Sequence, residues 1–97
     1  LGSAFKLYVL GAVSEAVAYG RLRWDQVVPL GQASYPSGIT QSWPEGAPMT
    51  VQSLATLMIS ISDNTATDTL LRLVGREQVE DFLRTPADEI LQKDPAE

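Results

Sequence analysis

The hydrophobic residues of this chain recur with the spacing of α-helices, and the longest helical segment comes first. Residues 3–19 are apolar on almost every side of a helix, and Gly20 follows at the position where a glycine commonly ends one. A helix with so few polar positions has to be covered by other elements on most of its sides. The pattern therefore predicts a central, buried helix over residues 3–19.

Further helices are predicted in the second half of the chain. Thr50 is a suitable N-cap, and apolar residues recur after it at i, i+3, i+4 and i+7. Residues 62–64 interrupt this pattern, because Ser, Asp and Asn favour turns and caps over helix interiors. Gly75 provides the next stop signal. The predicted helices are residues 51–60, 65–74 and 77–84.

The segments between the first two helices are predicted to be extended or irregular. Residues 22–30 carry Val27, Val28 and Pro29, which fit a short extended segment better than a helix. Residues 31–48 are rich in Gly and Pro and predict a surface loop. A loop of this length is often functional in a compact domain.

The composition narrows the possible chemistry. The chain has 97 residues, 44% of them hydrophobic, with 7 basic and 12 acidic side chains and a formal charge of −5. This balance suits a globular protein and offers no basic footprint for nucleic acid or anionic lipid. The sequence has no Cys and no His, so a Ser-His-Asp triad, a thiolate metal site and an ordinary zinc site are excluded, and we expect no metal or cofactor.

The ends of the chain, together with its hydrophobic segments, suggest part of a larger fold. The longest apolar stretch, residues 7–18, is too short for a membrane span and has no signal-peptide pattern around it. The Asp-Pro-Ala-Glu sequence at residues 94–97 resembles a helix start, and an uncovered apolar helix begins almost at residue 1. We therefore expect residues 1–97 to be a single partial domain that lacks the remainder of its own fold.

Ser3 and Lys6 form a Ser-x-x-Lys motif at the start of the first predicted helix. Residues three apart lie on one face of a helix, so the Ser3 hydroxyl and the Lys6 amine can come within hydrogen-bonding distance. The first turn also offers unpaired backbone N–H groups, which favour developing negative charge. Without His in the chain, Lys6 is the leading candidate for a base. The simpler interpretation is that Ser3 caps the helix while Lys6 extends into solvent.

A second motif, Ser62-Asp63-Asn64, contains the only Asn of the chain. A second hydroxyl beside a Ser–Lys pair can relay a proton, and an Asn amide can both hold Lys6 and bind a substrate carbonyl. The alternative is an ordinary turn that caps the following helix.

Together the two motifs resemble the penicillin-recognising serine hydrolases, which include class A β-lactamases, penicillin-binding proteins and their esterase-like relatives. Gly2-Ser3-Ala4-Phe5-Lys6 heads an apolar helix, Ser62-Asp63-Asn64 follows an amphipathic one, and 59 positions separate Ser3 from Ser62. The resemblance extends over about residues 2–82. It implies a mostly α chain: the helical domain of an α/β β-lactamase-like fold, with most of the antiparallel sheet missing from this chain.

The resemblance also implies a role for each motif residue. Ser3 would be the acylated nucleophile and Lys6 its base, while Ser62 would pass the proton to the leaving atom. Asn64 would bind the substrate and hold Lys6, whereas Asp63 would be structural and bond the backbone of the turn. The implied substrate is a small amide or ester such as a β-lactam. The implied location is periplasmic, secreted or in the cell envelope.

Two elements of the family are not found in the sequence. There is no Lys-Thr-Gly strand, and no Asn follows Asn64 to complete the Glu-x-x-x-N arrangement that carries the deacylating Glu of class A enzymes. Two alternatives to a β-lactamase therefore stay open. One is a penicillin-binding, D-alanyl-D-alanine carboxypeptidase-like or esterase-like relative, and the other is a non-catalytic binding module.

Overall fold

The computed structural model describes residues 3–34 and 37–84, which are mostly helical, as the sequence predicted. Four α-helices surround a shared apolar core, and a two-stranded sheet and a short 3-10 helix (Thr40–Ser42) lie between the first and second of them. The helix-start signature at residues 94–97 lies outside the described residues. The helices are α1 (Ser3–Ala18), α2 (Val51–Ser60), α3 (Asn64–Val74) and α4 (Arg76–Arg84), and the strands are β1 (Val27–Pro29) and β2 (Pro48–Thr50).

Helix α1 is the central helix that its hydrophobic pattern predicted. It packs against the other three helices and buries Val9 and Val13 completely. It ends at Ala18, and Gly20 takes the left-handed conformation expected of a helix stop, with φ of +80°. One side of α1 is nevertheless exposed, and on this side Leu7 is 61% accessible to solvent. The described residues therefore cover this apolar helix only in part.

Helices α2 and α3 are each preceded by a residue whose side chain accepts a hydrogen bond from the first turn. The Thr50 side chain accepts from the backbone N–H of Ser53, which confirms the predicted cap and the predicted bounds of α2. Helix α3 begins at Asn64, one residue earlier than predicted, because the Asp63 carboxylate caps it by accepting from the N–H of Ala66.

The sheet holds one expected strand and one that the sequence pattern missed. Strand β1 lies within the predicted extended segment, and it pairs antiparallel with β2 so that Val28 faces Met49 across the ladder. The second strand falls at the end of the predicted 31–48 loop. Both strands are three residues long, and their central side chains are buried in the core.

Residues 31–47 connect Leu30 to strand β2 and are called here the 31–47 loop. Two threonine hydroxyls of α3 bind this loop by hydrogen bonds. The backbone N–H of Gly31 donates to Thr69 Oγ1, and that of Ser34 donates to Thr65 Oγ1, each at 3.0 Å. Both threonines are buried, so these bonds satisfy polar groups that would otherwise be destabilising in the interior. The attachment carries the later part of the loop to the junction between α2 and α3.

Among the described residues, no helix combines the length and the hydrophobicity needed to cross a lipid bilayer.

Candidate active site

The junction between α2 and α3 is a tight turn formed by residues 62–64, called here the 62–64 turn. Ser62 has φ of 55°, and it is the only non-glycine residue in the described part of the chain with a positive φ. This conformation is unfavourable by roughly 1–2 kcal/mol for a residue with a Cβ. It persists where surrounding contacts enforce it, and the neighbouring residues supply such contacts.

Asp63 is completely buried. Its carboxylate accepts four hydrogen bonds and is called here the hub of the turn. Oδ2 accepts from the backbone N–H groups of Ile39 and Thr40 at 2.9 and 2.8 Å, and Oδ1 accepts from the Thr40 hydroxyl and, at 2.9 Å, from the N–H of Ala66. Burial acts to raise the pKa of Asp63, but the hydrogen bonds from Thr40, Ala66 and Ile39 together hold this pKa below its ordinary value. The expectation that Asp63 is structural is met by this geometry.

Gly38 allows the loop to approach this carboxylate closely. Its φ is +87°, and a Cβ placed on it would lie 2.5 Å from Asp63 Oδ2 and 2.7 Å from Asp63 Cγ. A side chain at this position would collide with the hub, and glycine is therefore required for both its conformation and its size.

Lys6 reaches the 62–64 turn from α1 and joins the two sequence motifs. Its Nζ donates to the backbone carbonyl oxygen of Ser62 at 2.8 Å and to Asn64 Oδ1 at 3.0 Å. The side chain is half-buried. The simpler interpretation, in which Lys6 extends into solvent, is wrong because this amine is held by two acceptors.

The other predicted site residues are placed as follows. Ser3 is the first residue of α1, one helical turn before Lys6, and its side chain lies outside the described part of the structure. Ser62 and Asn64 are half-buried, and Asn64 is the first residue of α3. The structure therefore brings Lys6 to Ser62 and Asn64, while the contacts of the Ser3 hydroxyl stay a prediction.

Two residues of the 31–47 loop complete the turn and were not singled out from the sequence. The Ser37 hydroxyl donates to the Ser62 carbonyl oxygen at 2.6 Å, and the Asn64 N–H donates to the Ser37 carbonyl oxygen at 3.3 Å. Thr40 donates twice to Asp63. The sequence marked residues 31–48 only as a loop rich in Gly and Pro, which does not reveal what the loop contacts.

Among residues 3–34 and 37–84, no group of three or more His, Cys, Asp or Glu side chains is placed to hold a metal ion.

Comparison with known proteins defines the family and the fold class of this chain. The family model described as the beta-lactamase enzyme family matches residues 1–90, and the chain belongs to this family. No match was found among curated proteins.

Solved structures of the same class share the fold. A beta-lactamase from Sphaerobacter thermophilus superposes with a TM-score of 0.75 and 36% identity, over 81% of this chain and 31% of the other. PBP-A superposes with a TM-score of 0.77 and 28% identity, over 84% of this chain and 32% of its own. A mutant of PBP-A in an acyl-enzyme complex with penicillin G matches equally well. The chain thus spans about a third of the length of these structures.

Proposed function

We propose that this chain is the helical part of a serine hydrolase that forms a covalent acyl-serine intermediate with a β-lactam or a related amide or ester. Ser3 is the nucleophile, Lys6 its base, Ser62 the proton relay and Asn64 a substrate-binding residue. The proposal depends above all on the Lys6 amine, which is bound by the Ser62 carbonyl and the Asn64 amide oxygen one helical turn from Ser3. Residues 1–97 are then one partial domain. This is consistent with their match to about a third of the length of each related structure.

The hydrogen bonds of Lys6 suit a general base. In its neutral form the amine has two N–H groups and one lone pair, and the two acceptors of the 62–64 turn can engage both N–H groups. The lone pair is then left to take the proton of the Ser3 hydroxyl. The acceptors therefore orient the base without competing for its basic position.

The acylation step follows from these roles. As Lys6 takes the proton, Ser3 Oγ bonds to the substrate carbonyl carbon, and the resulting oxyanion is stabilised by the backbone N–H of Ser3 at the start of α1. The intermediate then collapses, breaking the bond from carbon to the leaving nitrogen or oxygen. The proton on Lys6 passes through the Ser62 hydroxyl to that leaving atom, and the acyl group stays on Ser3. Attack of water on the ester releases the acid and restores Ser3.

A penicillin-binding relative that keeps its acyl group is the second candidate. The observation that favours it is the likeness to PBP-A, which superposes over 84% of this chain. The two candidates share the acylation step and differ only in how fast water releases the acyl group.

The test is intact-mass spectrometry of the full-length protein that contains this chain, incubated with penicillin G and with a nitrophenyl ester. We expect an adduct of the mass of the acyl group, absent from the Ser3→Ala variant. An adduct that disappears within minutes indicates a β-lactamase, and one that persists for hours indicates a penicillin-binding protein. Absence of an adduct across several β-lactams and esters would instead favour a non-catalytic binding module.

Residues 1–97 alone are proposed to have no significant activity. Acyl transfer needs two donors at the oxyanion, and loss of one typically slows the reaction about 10²–10³-fold. The family presents the second donor on the Lys-Thr-Gly strand, and that motif does not occur in residues 1–97. Turnover of nitrocefin by this segment that depends on Ser3 would contradict the proposal.

The cellular location is proposed from the family alone, as periplasmic, secreted or in the cell envelope. Fractionation of the source cells, with detection of the full-length protein in each fraction, tests it directly.

A further inference from the structure

Ser37 holds the 62–64 turn from both sides of Asp63. Its hydroxyl donates to the carbonyl oxygen of Ser62 at 2.6 Å, and its own carbonyl oxygen accepts from the N–H of Asn64 at 3.3 Å. Ser62 and Asn64 are the two residues that bind Lys6. One half-buried serine of the loop thus contacts both neighbours of the hub.

The Ser62 carbonyl oxygen is the point at which these contacts meet. It accepts from Ser37 Oγ and from Lys6 Nζ, so both of its lone pairs are engaged. Its direction depends on the left-handed φ of 55° at Ser62, a conformation that needs outside contacts to be stable. If the turn relaxed toward a more favourable φ, this oxygen would rotate and Lys6 would lose its closest acceptor.

We propose that Ser37 is a positioning residue for acylation, whose hydroxyl fixes the Ser62 carbonyl and through it the Lys6 amine. This inference rests on the proposed function of Ser3 and Lys6. Ser37 itself contacts neither the reacting atoms nor the side chains of Lys6 and Asn64 in the hydrogen bonds described. Its contribution is to keep the base aligned during proton transfer.

The hydroxyl and the carbonyl of Ser37 make different contacts, so a substitution can change the acylation rate without changing substrate binding. Replacing Ser37 by Ala removes only the hydroxyl, whereas the carbonyl oxygen that accepts from Asn64 is kept. Asn64, the proposed substrate-binding residue, therefore keeps its anchor. The rate constant of acylation should fall, while the dissociation constant of the initial complex with substrate should hardly change.

The experiment is stopped-flow acylation of the full-length protein by nitrocefin over a range of concentrations, comparing the native protein with Ser37→Ala, Ser37→Thr and Ser42→Ala. Ser37→Ala is expected to acylate roughly three- to tenfold more slowly, which corresponds to one hydrogen bond, with the dissociation constant within about twofold of native. Ser37→Thr keeps a hydroxyl and should restore most of the rate.

Ser42→Ala is the matched control. Its hydroxyl also donates to a backbone carbonyl of the same loop, that of Ile39 at 2.9 Å, and not to residues 62–64. It should acylate at the native rate. Thermal melting of all variants identifies any that fail to fold, and the Ser37→Thr variant keeps the test valid if Ser37→Ala is one of them.

The outcomes separate this inference from the proposed function. If the native protein acylates and Ser37→Ala matches its rate, the positioning role is wrong and the proposed function stands. If Ser37→Ala is slow and Ser37→Thr equally slow, the hydroxyl is not the cause and the role is again wrong. If the native protein forms no acyl-enzyme at all, the proposed function fails and the role of Ser37 fails with it.

Discussion

The 62–64 turn contains two polar environments that differ sharply although they are adjacent in sequence. The Asp63 carboxylate is completely buried and accepts from two backbone N–H groups of the loop, a threonine hydroxyl and the first turn of α3. Ser62 and Asn64, on either side of it, are half-buried and present their oxygens to the Lys6 amine.

The two environments differ in whether their polar groups can still contact a substrate. A buried carboxylate with all its donors in place is rigid, and it ties the loop to the start of α3. A half-buried amine between two acceptors is held in place and can still meet a substrate. We therefore expect the Asp63 carboxylate to contribute mainly to stability, and the proposed chemistry to depend on its neighbours. Both expectations can be tested by substitution in the full-length protein.

The largest effect on activity is expected from Lys6. Lys6→Ala removes the proposed base and should slow acylation of Ser3 by roughly 10²–10⁴-fold, the usual contribution of a positioned general base. Lys6→Arg is the matched control, because it keeps a long side chain with N–H donors but cannot act as a base at neutral pH, and it should be about as slow. Stopped-flow kinetics measures both rates. If Lys6→Ala acylates at the native rate, Lys6 is not the base, and the proposed chemical role of the residues around Asp63 is wrong.

The largest effect on stability is expected from Asp63. Asp63→Ala leaves the N–H groups of Ile39, Thr40 and Ala66 without their acceptor in the interior, and the free energy of unfolding should fall by about 3–5 kcal/mol. Urea denaturation measures the loss. Asp25→Ala is the control, because it removes a carboxylate that forms an exposed ion pair with Arg23, and it should leave the denaturation midpoint nearly unchanged. If both variants lose the same free energy of unfolding, the buried Asp63 carboxylate stabilises the fold no more than the exposed Asp25 carboxylate does.

Gly38 tests how closely the loop must approach the hub. Gly38→Ala and Gly46→Ala both place a Cβ on a residue with nearly the same φ, +87° and +86°, but only the Cβ at residue 38 meets another group, the Asp63 carboxylate. The backbone strain is therefore common to both variants. We expect Gly38→Ala to lower the free energy of unfolding by about 1–3 kcal/mol more than Gly46→Ala, because of the steric clash. Equal urea midpoints would mean that the loop moves aside at little cost.

The helices could be predicted from the sequence because their signals are local. Thr50 and the apolar spacing after it define the bounds of α2, and Gly75 ends α3 at the predicted place. Strand β2 was missed since three residues beginning with Pro48 carry no pattern of their own, and their extended state depends on pairing with β1. An uncovered side of α1 was expected, but the pattern did not show that Leu7 would lie on it, because a pattern shows that a helix is apolar and not which elements cover it.

The site was predictable only in part for a similar reason. The contact between Lys6 and Asn64 joins residues 58 positions apart, and it was expected from the pairing of two motifs in a known family rather than from either motif alone. The contacts of Ser37 with Ser62 and of Thr40 with Asp63 span 25 and 23 positions, and no motif marks them. Hydrogen bonds from a loop depend on where the fold carries the loop, and local sequence does not contain that information.

The smallest effect is expected from pH. Because hydrogen bonds hold the pKa of Asp63 below its ordinary value, the folded protein keeps this carboxylate ionised at a pH where the unfolded chain binds a proton. The stability from Asp63 is thus fully present above the ordinary Asp pKa of about 4, and it is lost as the pH falls through the lower pKa of the folded state. Urea midpoints measured from pH 7 to pH 3 should decline less steeply below about pH 4 in Asp63→Asn than in the native protein. Parallel declines would show that the hub does not contribute to acid sensitivity, and the difference between the two environments would then lie in geometry alone.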